Sequence, residues 1–136
     1  MGNEVMSAFT PAEIEYLSGQ RLARIATASV DGQPDVAVVG FGVDGDDIVS
    51  GGLDLTKTIR FRNLTTNPRA TIVIDDLAST DPWTPRGIKV RGRVQLEDDD
   101  ESLRIRIRPA TIWSWGINEG AETRFAGVEK RQVATD

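Results

Sequence analysis

The residues best suited to binding an anion lie in one short segment, Lys57-Thr58-Ile59-Arg60-Phe61-Arg62. The apolar spacing of Ile59 and Leu64 predicts an amphipathic helix of about three turns over residues 56–66, which Asn67-Pro68 would end. A helix N-terminus offers free N–H groups and a partial positive charge, so hydroxyls and cations in its first turns could hold a phosphate. The alternative is a solvated basic helix face, and the spacing alone does not separate the two.

The chain has little side-chain chemistry of other kinds. Its 136 residues include no histidine and no cysteine. This excludes disulfides, thiol nucleophiles, structural zinc, His-held haem and catalytic triads built on an imidazole. We therefore predict no metal site and assign no catalytic side chain. An enzyme made from this chain would import a redox cofactor, which supplies the reactivity while the protein positions and tunes it.

The composition is that of an ordinary soluble protein, and the length fits a single domain over residues 1–136. The net charge of −5 argues against nucleic acid as a partner, because phosphate contacts need a basic face. No apolar run approaches the ~18 residues of a membrane span. The first six residues carry neither the basic region nor the apolar core of a secretory signal. We expect a cytoplasmic protein with no membrane partner.

Short strands joined by tight turns predict an antiparallel barrel or sandwich. A capping box, Thr10-Pro11-Ala12-Glu13, begins a first helix that Gly19 would end. Strand patterns follow at residues 22–29, 36–43, 48–50, 69–76, 88–96, 103–108 and 111–115. The run over 36–43 is almost continuously apolar, which predicts a strand buried on both faces. We expect residues 80–86 to form a proline-containing loop and about 118–136 to form a loose tail or a short helix.

Two of the predicted strands carry cations on one face each. These are Lys89, Arg91 and Arg93, and then Arg104, Arg106 and Arg108. If the strands pair as a hairpin, like charges lie opposite one another, which is destabilising. We expect an acidic group to compensate: a partner subunit, the acidic turn over residues 97–101, or an anionic ligand. The alternative is a solvated outer face with splayed side chains.

Three blocks of sequence carry a resemblance that covers most of residues 10–117. The first is Pro34-Asp35-Val36-Ala37-Val38-Val39-Gly40-Phe41 with Asp44-Gly45-Asp46 and Gly51-Gly52-Leu53-Asp54. The second is Thr56-Lys57-Thr58 with Arg60-Phe61-Arg62-Asn63-Leu64, Asn67-Pro68-Arg69-Ala70 and Val73-Ile74-Asp75-Asp76. The third is Pro82-Trp83-Thr84-Pro85-Arg86-Gly87-Ile88 with Arg91-Gly92-Arg93, Arg106-Ile107-Arg108-Pro109 and Ser114-Trp115-Gly116. Together they resemble the deazaflavin (coenzyme F420)-dependent branch of the pyridoxamine 5′-phosphate oxidase-like, FMN-binding split barrels.

The resemblance implies a mainly β (α+β) fold. This is an antiparallel split β-barrel of six to seven strands, with an N-terminal helix and one helix between strands 3 and 4. It also implies a homodimer with the cofactor at the subunit interface. Gly40 stands where true pyridoxamine-phosphate oxidases have a lysine, a departure that favours deazaflavin over vitamin B6 oxidation.

The resemblance also assigns the cofactor-binding residues. Val36, Ala37, Val38 and Val39 would line the ring system through their backbone, Ser50 and Gly51 would lie beside it, and Lys57, Thr58 and Arg60 would hold the phosphate. The implied activity is hydride transfer between coenzyme F420 and a small organic substrate. The alternatives are an FMN-dependent oxidoreductase of the same fold and a non-catalytic protein that binds a cofactor or a tetrapyrrole.

Overall fold

The computed structural model describes residues 8–99, 102–118 and 128–133. The helices are α1 (Pro11–Ser18) and α2 (Ile59–Thr66), and a single 3-10 turn, Leu55–Lys57, precedes α2. The strands are β1 (Leu22–Ala28), β2 (Pro34–Gly40), β3 (Gly42–Asp44), β4 (Asp47–Ser50), β5 (Arg69–Thr80), β6 (Trp83–Asp99), β7 (Ser102–Trp115) and β8 (Glu129–Gln132). All strand pairs are antiparallel.

The strands form one sheet, and its two edge strands, β2 and β3, are consecutive in sequence. The order is β2-β1-β5-β6-β7-β4-β3, and β8 pairs with β7 beyond the segment that β4 occupies. β2 and β3 therefore lie at opposite ends of the order, yet only Phe41 separates them in sequence. Because consecutive Cα atoms are about 3.8 Å apart, the sheet has to roll up until its two ends meet. This is the barrel that the turn pattern predicted.

The core fills the inside of this rolled sheet. Alternate residues of β1, β5, β6 and β7 point inward, as period-two strands require. The fully buried residues they contribute include Ile25, Ile72, Ile74, Ile88, Val90, Ile105, Ile107 and Ile112. α1 closes one end of the barrel with Leu17, and Phe9 packs beside it.

The capping box of α1 forms as the sequence predicts. The Thr10 hydroxyl accepts from the Glu13 amide, and the Glu13 carboxylate accepts from the Thr10 amide at 3.0 Å. The carboxylate of Glu13 is fully buried and also accepts from Arg131 on β8 and from Asn118. A buried carboxylate needs such partners, because an uncompensated charge away from water is costly. Glu13 therefore ties α1 to the last described strand.

A close approach of two backbones fixes the pairing of β6 with β7. The register shifts by one residue between Arg91 and Gly92, which marks a β-bulge. A Cβ on Gly92 would overlap the backbone carbonyl of Arg108. Only glycine fits there, and the extra residue of the bulge, Ala110, lies on β7.

The antiparallel, mainly β fold with two helices is confirmed, and four details of the prediction are wrong. Residues 36–43 form two strands, and β2 is an edge strand with an exposed face. Residues 103–115 form one strand, β7, because a bulge at Ala110 lets the pairing with β6 continue past Pro109. Residues 80–86 are a tight β5–β6 hairpin, since pairing continues to Thr80↔Trp83. The described residues therefore form eight strands, where six to seven were predicted. The second helix, α2, lies between β4 and β5 and not between the third and fourth strands.

The prediction of a loose tail or short helix after Asn118 is wrong for Glu129–Gln132, which forms β8. Its alternation was too short to recognise in the sequence, and its pairing with β7 supplies the order. Residues 119–127 and 134–136 lie outside the described part of the chain. Within the described part, no helix has the length and apolar character needed to cross a membrane, and no group of acidic residues is placed to hold a metal ion.

Candidate functional site

A cleft of about 590 Å³ opens where the two ends of the sheet meet. Its walls are the β2–β3 junction, the end of β4, the loop that leads to the 3-10 turn, and the start of β7. The lining residues are Gly40, Phe41, Gly42, Val49, Ser50, Gly51, Gly52, Leu53, Asp54, Leu55, Thr56, Ser102, Leu103 and Arg104. This volume lies within the usual range of small-molecule sites, about 300–1,000 Å³.

Ser50 and Gly51, which the resemblance would place beside a cofactor, line this cleft. Ser50 is buried, and its hydroxyl donates to the carbonyl oxygen of Gly40 at 2.7 Å. A Cβ on Gly51 would meet nothing within 4 Å, so Gly51 borders open space. Ser50 therefore holds the cleft wall in place, while the backbone at Gly51 is accessible to a ligand.

Arg60 reaches the cleft wall from the first turn of α2. Its Nη2 lies 2.7 Å from the position that a Cβ on Gly52 would occupy, so the guanidinium lies directly against this glycine. Its Nε is buried and has no hydrogen-bond partner among the described residues. A buried unpaired donor carries a desolvation cost of about 1–3 kcal/mol unless a ligand satisfies it. The guanidinium of Arg60 is therefore placed to donate hydrogen bonds to an anionic group.

Lys57 and Thr58 lie next to Arg60 but differ from it in how they are engaged. The α-helix begins at Ile59, so Lys57 precedes it on the 3-10 turn and is exposed. The Thr58 hydroxyl accepts from the Phe61 amide at 3.1 Å and donates to the Leu55 carbonyl at 2.7 Å. The prediction that both residues lie within the helix is thus wrong by one turn. In this geometry Thr58 caps the helix, and Lys57 and Arg60 carry the positive charge.

The four predicted valine and alanine positions of β2 lie outside the cleft lining. Val36 and Val38 are 64% and 62% exposed, and Val39 is buried. The burial on both faces that we predicted for this run is wrong, because β2 ends the strand order and one of its faces lacks cover in the single chain. An edge strand presents unpaired N–H and C=O groups, which suits a ligand held by backbone contacts. α2 packs against β1 and β2, so Arg60 and this edge belong to one region.

Sequence reasoning missed the contribution of β7 to the cleft. Register pairs Ser50 with Ile105, which places Leu103 and Arg104 at the cleft opening. This pairing joins residues more than fifty positions apart in the sequence, so no local sequence pattern predicts it. Asp54 was also missed: it lies at φ 54°, in the left-handed region, at the turn that leads to α2. Non-glycine residues held in this region cluster at functional sites.

The arrangement fits the phosphate-bearing part of a flavin-type cofactor. A phosphate needs positively charged donors with free N–H groups and close backbone approach. Arg60 supplies a buried N–H that has no partner among the described residues, Gly52 leaves room that any side chain would fill, and Lys57 adds a second charge at the helix start. The remaining amides of the first turn of α2 have no partner within the helix.

Comparison with known proteins is consistent with this geometry. Residues 9–123 match the family described as pyridoxamine 5′-phosphate oxidase. A 5a,11a-dehydrotetracycline/5a,11a-dehydrooxytetracycline reductase from Streptomyces rimosus is 33% identical over 138 residues, which cover 94% of this chain and 95% of that protein.

Solved structures share the fold at lower identity. A heme binding protein from Mycobacterium smegmatis has a TM-score of 0.70 at 17% identity, over 93% of this chain and 60% of that chain. A FAD binding protein from the same organism has a TM-score of 0.61 at 18% identity, over 79% of this chain and 94% of that chain. At these identities the likeness establishes the fold alone.

Proposed function

The chain belongs to the pyridoxamine 5′-phosphate oxidase family, and we propose that it is an oxidoreductase that uses the deazaflavin coenzyme F420. The bound cofactor would supply hydride transfer to or from a small organic substrate. The reductase from Streptomyces rimosus supports an oxidoreductase activity. The choice of deazaflavin rests on the sequence blocks described above and on Gly40, which replaces a lysine typical of true pyridoxamine-phosphate oxidases.

The observation that carries this proposal is the Arg60 side chain against Gly52. Its buried Nε has no hydrogen-bond partner among the described residues, and its guanidinium lies against Gly52, which lines the cleft of about 590 Å³. Lys57 and Arg60 would hold the phosphate of the cofactor through charge-assisted hydrogen bonds, each contributing about 1.5–3 kcal/mol. Thr58 would act indirectly, because its hydroxyl is used to begin the helix that presents Arg60.

The remaining site residues would position the ring system and the substrate. The edge of β2 over Val36–Val39 would hydrogen-bond the ring through its backbone, and the exposed Val36 and Val38 would cover its apolar part. Gly51 leaves the cleft accessible beside Ser50. Leu53, which is 93% exposed at the cleft, would pack on an apolar substrate and exclude water from it. No side chain is asked to donate or accept a proton.

The proposed assembly is a homodimer of two copies of this chain with the cofactor between them. Val36 and Val38 expose an apolar strip on an edge strand, a surface that soluble proteins usually cover. A second copy would cover it and complete the cofactor site. Light scattering at micromolar concentration is expected to give about twice the monomer mass of 14.8 kDa.

Parallel titrations with coenzyme F420 and with FMN test the cofactor. Binding would be followed by quenching of the intrinsic fluorescence of the three tryptophans. We expect saturable binding of F420, with FMN binding at least tenfold more weakly. Saturable FMN binding with no response to F420 at tens of micromolar would replace this proposal by the FMN-dependent alternative.

A turnover assay tests the enzymatic part. Reduced F420 would be mixed with the protein and a 5a,11a-dehydrotetracycline as a first substrate, chosen because the relative in Streptomyces rimosus is named for it. We expect oxidation of the cofactor that depends on both protein and acceptor. A bound cofactor that never changes redox state with this or any of a panel of conjugated acceptors would indicate a carrier instead of an enzyme.

A further inference from the structure

Three arginines face one another across three neighbouring strands on the outside of the barrel. Register pairs Arg69 of β5 with Arg93 of β6, and Arg93 with Arg108 of β7. Partners in register project from the same face of a sheet, with Cβ atoms about 4.5–5.5 Å apart. All three side chains are exposed. Like charges placed directly opposite destabilise a sheet, so this arginine row needs an explanation.

The neighbouring arginines of β7 are neutralised within the chain. Arg106 contacts Glu97 at 2.7 Å, Asp44 at 2.7 Å and Asp47 at 2.9 Å, and only 12% of its side chain is exposed. These carboxylates raise the pKa of Arg106 above its usual range. Arg104 shares Glu97 at 3.2 Å. For these two cations, the compensation that we expected from the acidic turn is present, with help from the β3–β4 turn.

Among the residues that the structure describes, the arginine row lacks such compensation. Arg93 has neither an ion pair nor a side-chain hydrogen bond within the described part of the chain. Among the described residues, Arg69 donates only to the neutral Asn67 side chain, at 3.2 Å. Arg108 lies 4.0 Å from Asp47, which already pairs with Arg106. The row therefore keeps most of its positive charge.

A second cleft, of about 600 Å³, opens beside this row. Its charged residues are Arg69, Arg91 and Arg93, and no acidic residue is among the described residues that line it. Small residues form the rest of the lining: Ala26, Thr27, Ala28, Ala70, Thr71, Gly92 and Ala110, together with Asn67. The guanidinium of Arg91 lies over the Trp113 ring, 5.0 Å from its centroid. Short side chains leave space for Arg69 and Arg93 to converge on one ligand, and guanidinium forks match phosphate and carboxylate oxygens.

We propose that this arginine cleft binds a small molecule carrying two or more phosphate or carboxylate groups. An anionic ligand that accepts bidentate hydrogen bonds from two arginines would neutralise their charges and so remove the repulsion between them. Asn67 adds an amide at the same wall. The ligand is separate from the cofactor proposed above, and its site does not depend on that proposal.

The placement on α2 separates the two sites. Asn67 follows the last residue of α2, whereas Thr58 precedes its first. Eight helical residues span about 12 Å, so the arginine cleft and the Lys57–Arg60 cluster lie at opposite ends of the helix. A ligand at one end therefore does not need the charges at the other.

Calorimetric titration with inorganic tripolyphosphate tests the proposal on the full chain. In low salt, we expect saturable binding that weakens at least tenfold in the double variant Arg69→Gln/Arg93→Gln. Arg21→Gln removes a charge from an exposed residue outside the cleft and is expected to change the affinity less than twofold. Arg62→Gln removes an exposed charge from α2, outside the lining of this cleft, and should bind tripolyphosphate as the wild type does. Equal loss in all three variants, or no binding by the wild type, would overturn the proposal.

Thermal melts give a readout that a purely structural role would not. Arg93→Gln removes repulsion from the row, so the free variant should melt about 1–3 °C above the wild type. Tripolyphosphate should raise the melting temperature of the wild type and leave that of Arg69→Gln/Arg93→Gln unchanged. If this double variant instead loses the oligomeric state of the wild type and the wild type shows no stabilisation by tripolyphosphate, the arginines serve a subunit contact and the proposal fails.

Discussion

The hydroxyl of Ser50 donates to the carbonyl oxygen of Gly40 at 2.7 Å, and this bond joins the end of β4 to the end of β2. The two strands are far apart in the strand order, so the bond closes the rolled sheet where Phe41 turns from one edge to the other. The same junction forms one wall of the 590 Å³ cleft. The same contact therefore supports both the closure of the barrel and one wall of the cleft.

Removing this hydroxyl should weaken the closure. Ser50→Ala leaves the Gly40 carbonyl without its buried partner, and we expect a loss of about 1–2 kcal/mol in the free energy of unfolding. Urea denaturation measures it. Ser18→Ala serves as the control, because the Ser18 hydroxyl also donates to a carbonyl, at 2.8 Å, but is exposed. Equal losses of unfolding free energy in the two variants would mean that the Ser50–Gly40 hydrogen bond stabilises the fold no more than an exposed one.

If the Lys57–Arg60 cluster holds the cofactor phosphate, removing its charges should weaken cofactor binding and leave the fold intact. Lys57→Ala/Arg60→Ala should weaken binding of F420 at least tenfold, since two charge-assisted contacts are lost. The melting temperature should change by no more than about 2 °C, because both residues lie outside the core. Arg62→Ala removes an exposed charge from the same helix and should bind normally. An unchanged affinity in the double variant would mean that this helix face is merely solvated.

Gly52 predicts the same loss without any change in charge. In Gly52→Ala the new Cβ would collide with the guanidinium of Arg60 and push it from the cleft wall. We expect F420 binding to weaken about fivefold to tenfold, a cost of roughly 1.0–1.4 kcal/mol. Gly51→Ala adds the same methyl group next door, where the protein leaves open space. If Gly51→Ala impairs binding and Gly52→Ala does not, the ligand contacts Gly51 and Arg60 has no role.

Glu13 predicts a defined dependence of stability on pH. Burial raises the pKa of Glu13, but hydrogen bonds led by that from Arg131 outweigh it and hold the pKa below 4.5. Because the folded-state pKa is lowered, the carboxylate stabilises the fold above pH 4.5, and this contribution is lost as the pH falls through the folded-state value. Glu13→Gln should therefore cost about 2–4 kcal/mol at pH 7 and progressively less below pH 4.5.

Denaturation of Glu13→Gln and wild type between pH 7 and pH 3 measures this difference. Glu15→Gln, two residues along the same helix and exposed, is the matched control and should follow the wild type throughout. A difference between Glu13→Gln and wild type that stays constant down to pH 3 would contradict an ionic origin.

Local patterns in the sequence were sufficient for most of the fold. The capping box at Thr10, the Asp31-Gly32 and Asp44-Gly45 turns and the alternation over residues 88–96 each act over a few residues, and the structure contains all of them. The burial of Glu13 was missed because its partner, Arg131, lies 118 residues away. A capping glutamate is ordinarily exposed, and nothing nearby shows that a strand will cover it.

The candidate site was predictable only in part for the same reason. Ser50 and Gly51 line one cleft, Arg60 lies against the neighbouring Gly52, and the segment that carries them is continuous in sequence. Leu103 and Arg104 join them through the β4–β7 pairing, which depends on how the whole sheet rolls. The exposure of Val36 and Val38 could not be predicted from the apolar run. Hydrophobic residues indicate that a surface is buried, but they do not indicate whether the same chain or a second chain buries it.

The contact between Glu13 and Arg131 also orders the events of biosynthesis. A ribosome completes the helix that carries Glu13 long before it adds Arg131. Until then, docking α1 would bury a carboxylate without its cation, at a cost of several kcal/mol. We therefore expect α1, although it is made first, to dock last, and a nascent chain stalled before residue 131 to leave α1 accessible to proteases and chaperones. The barrel would be complete only when β8 has emerged.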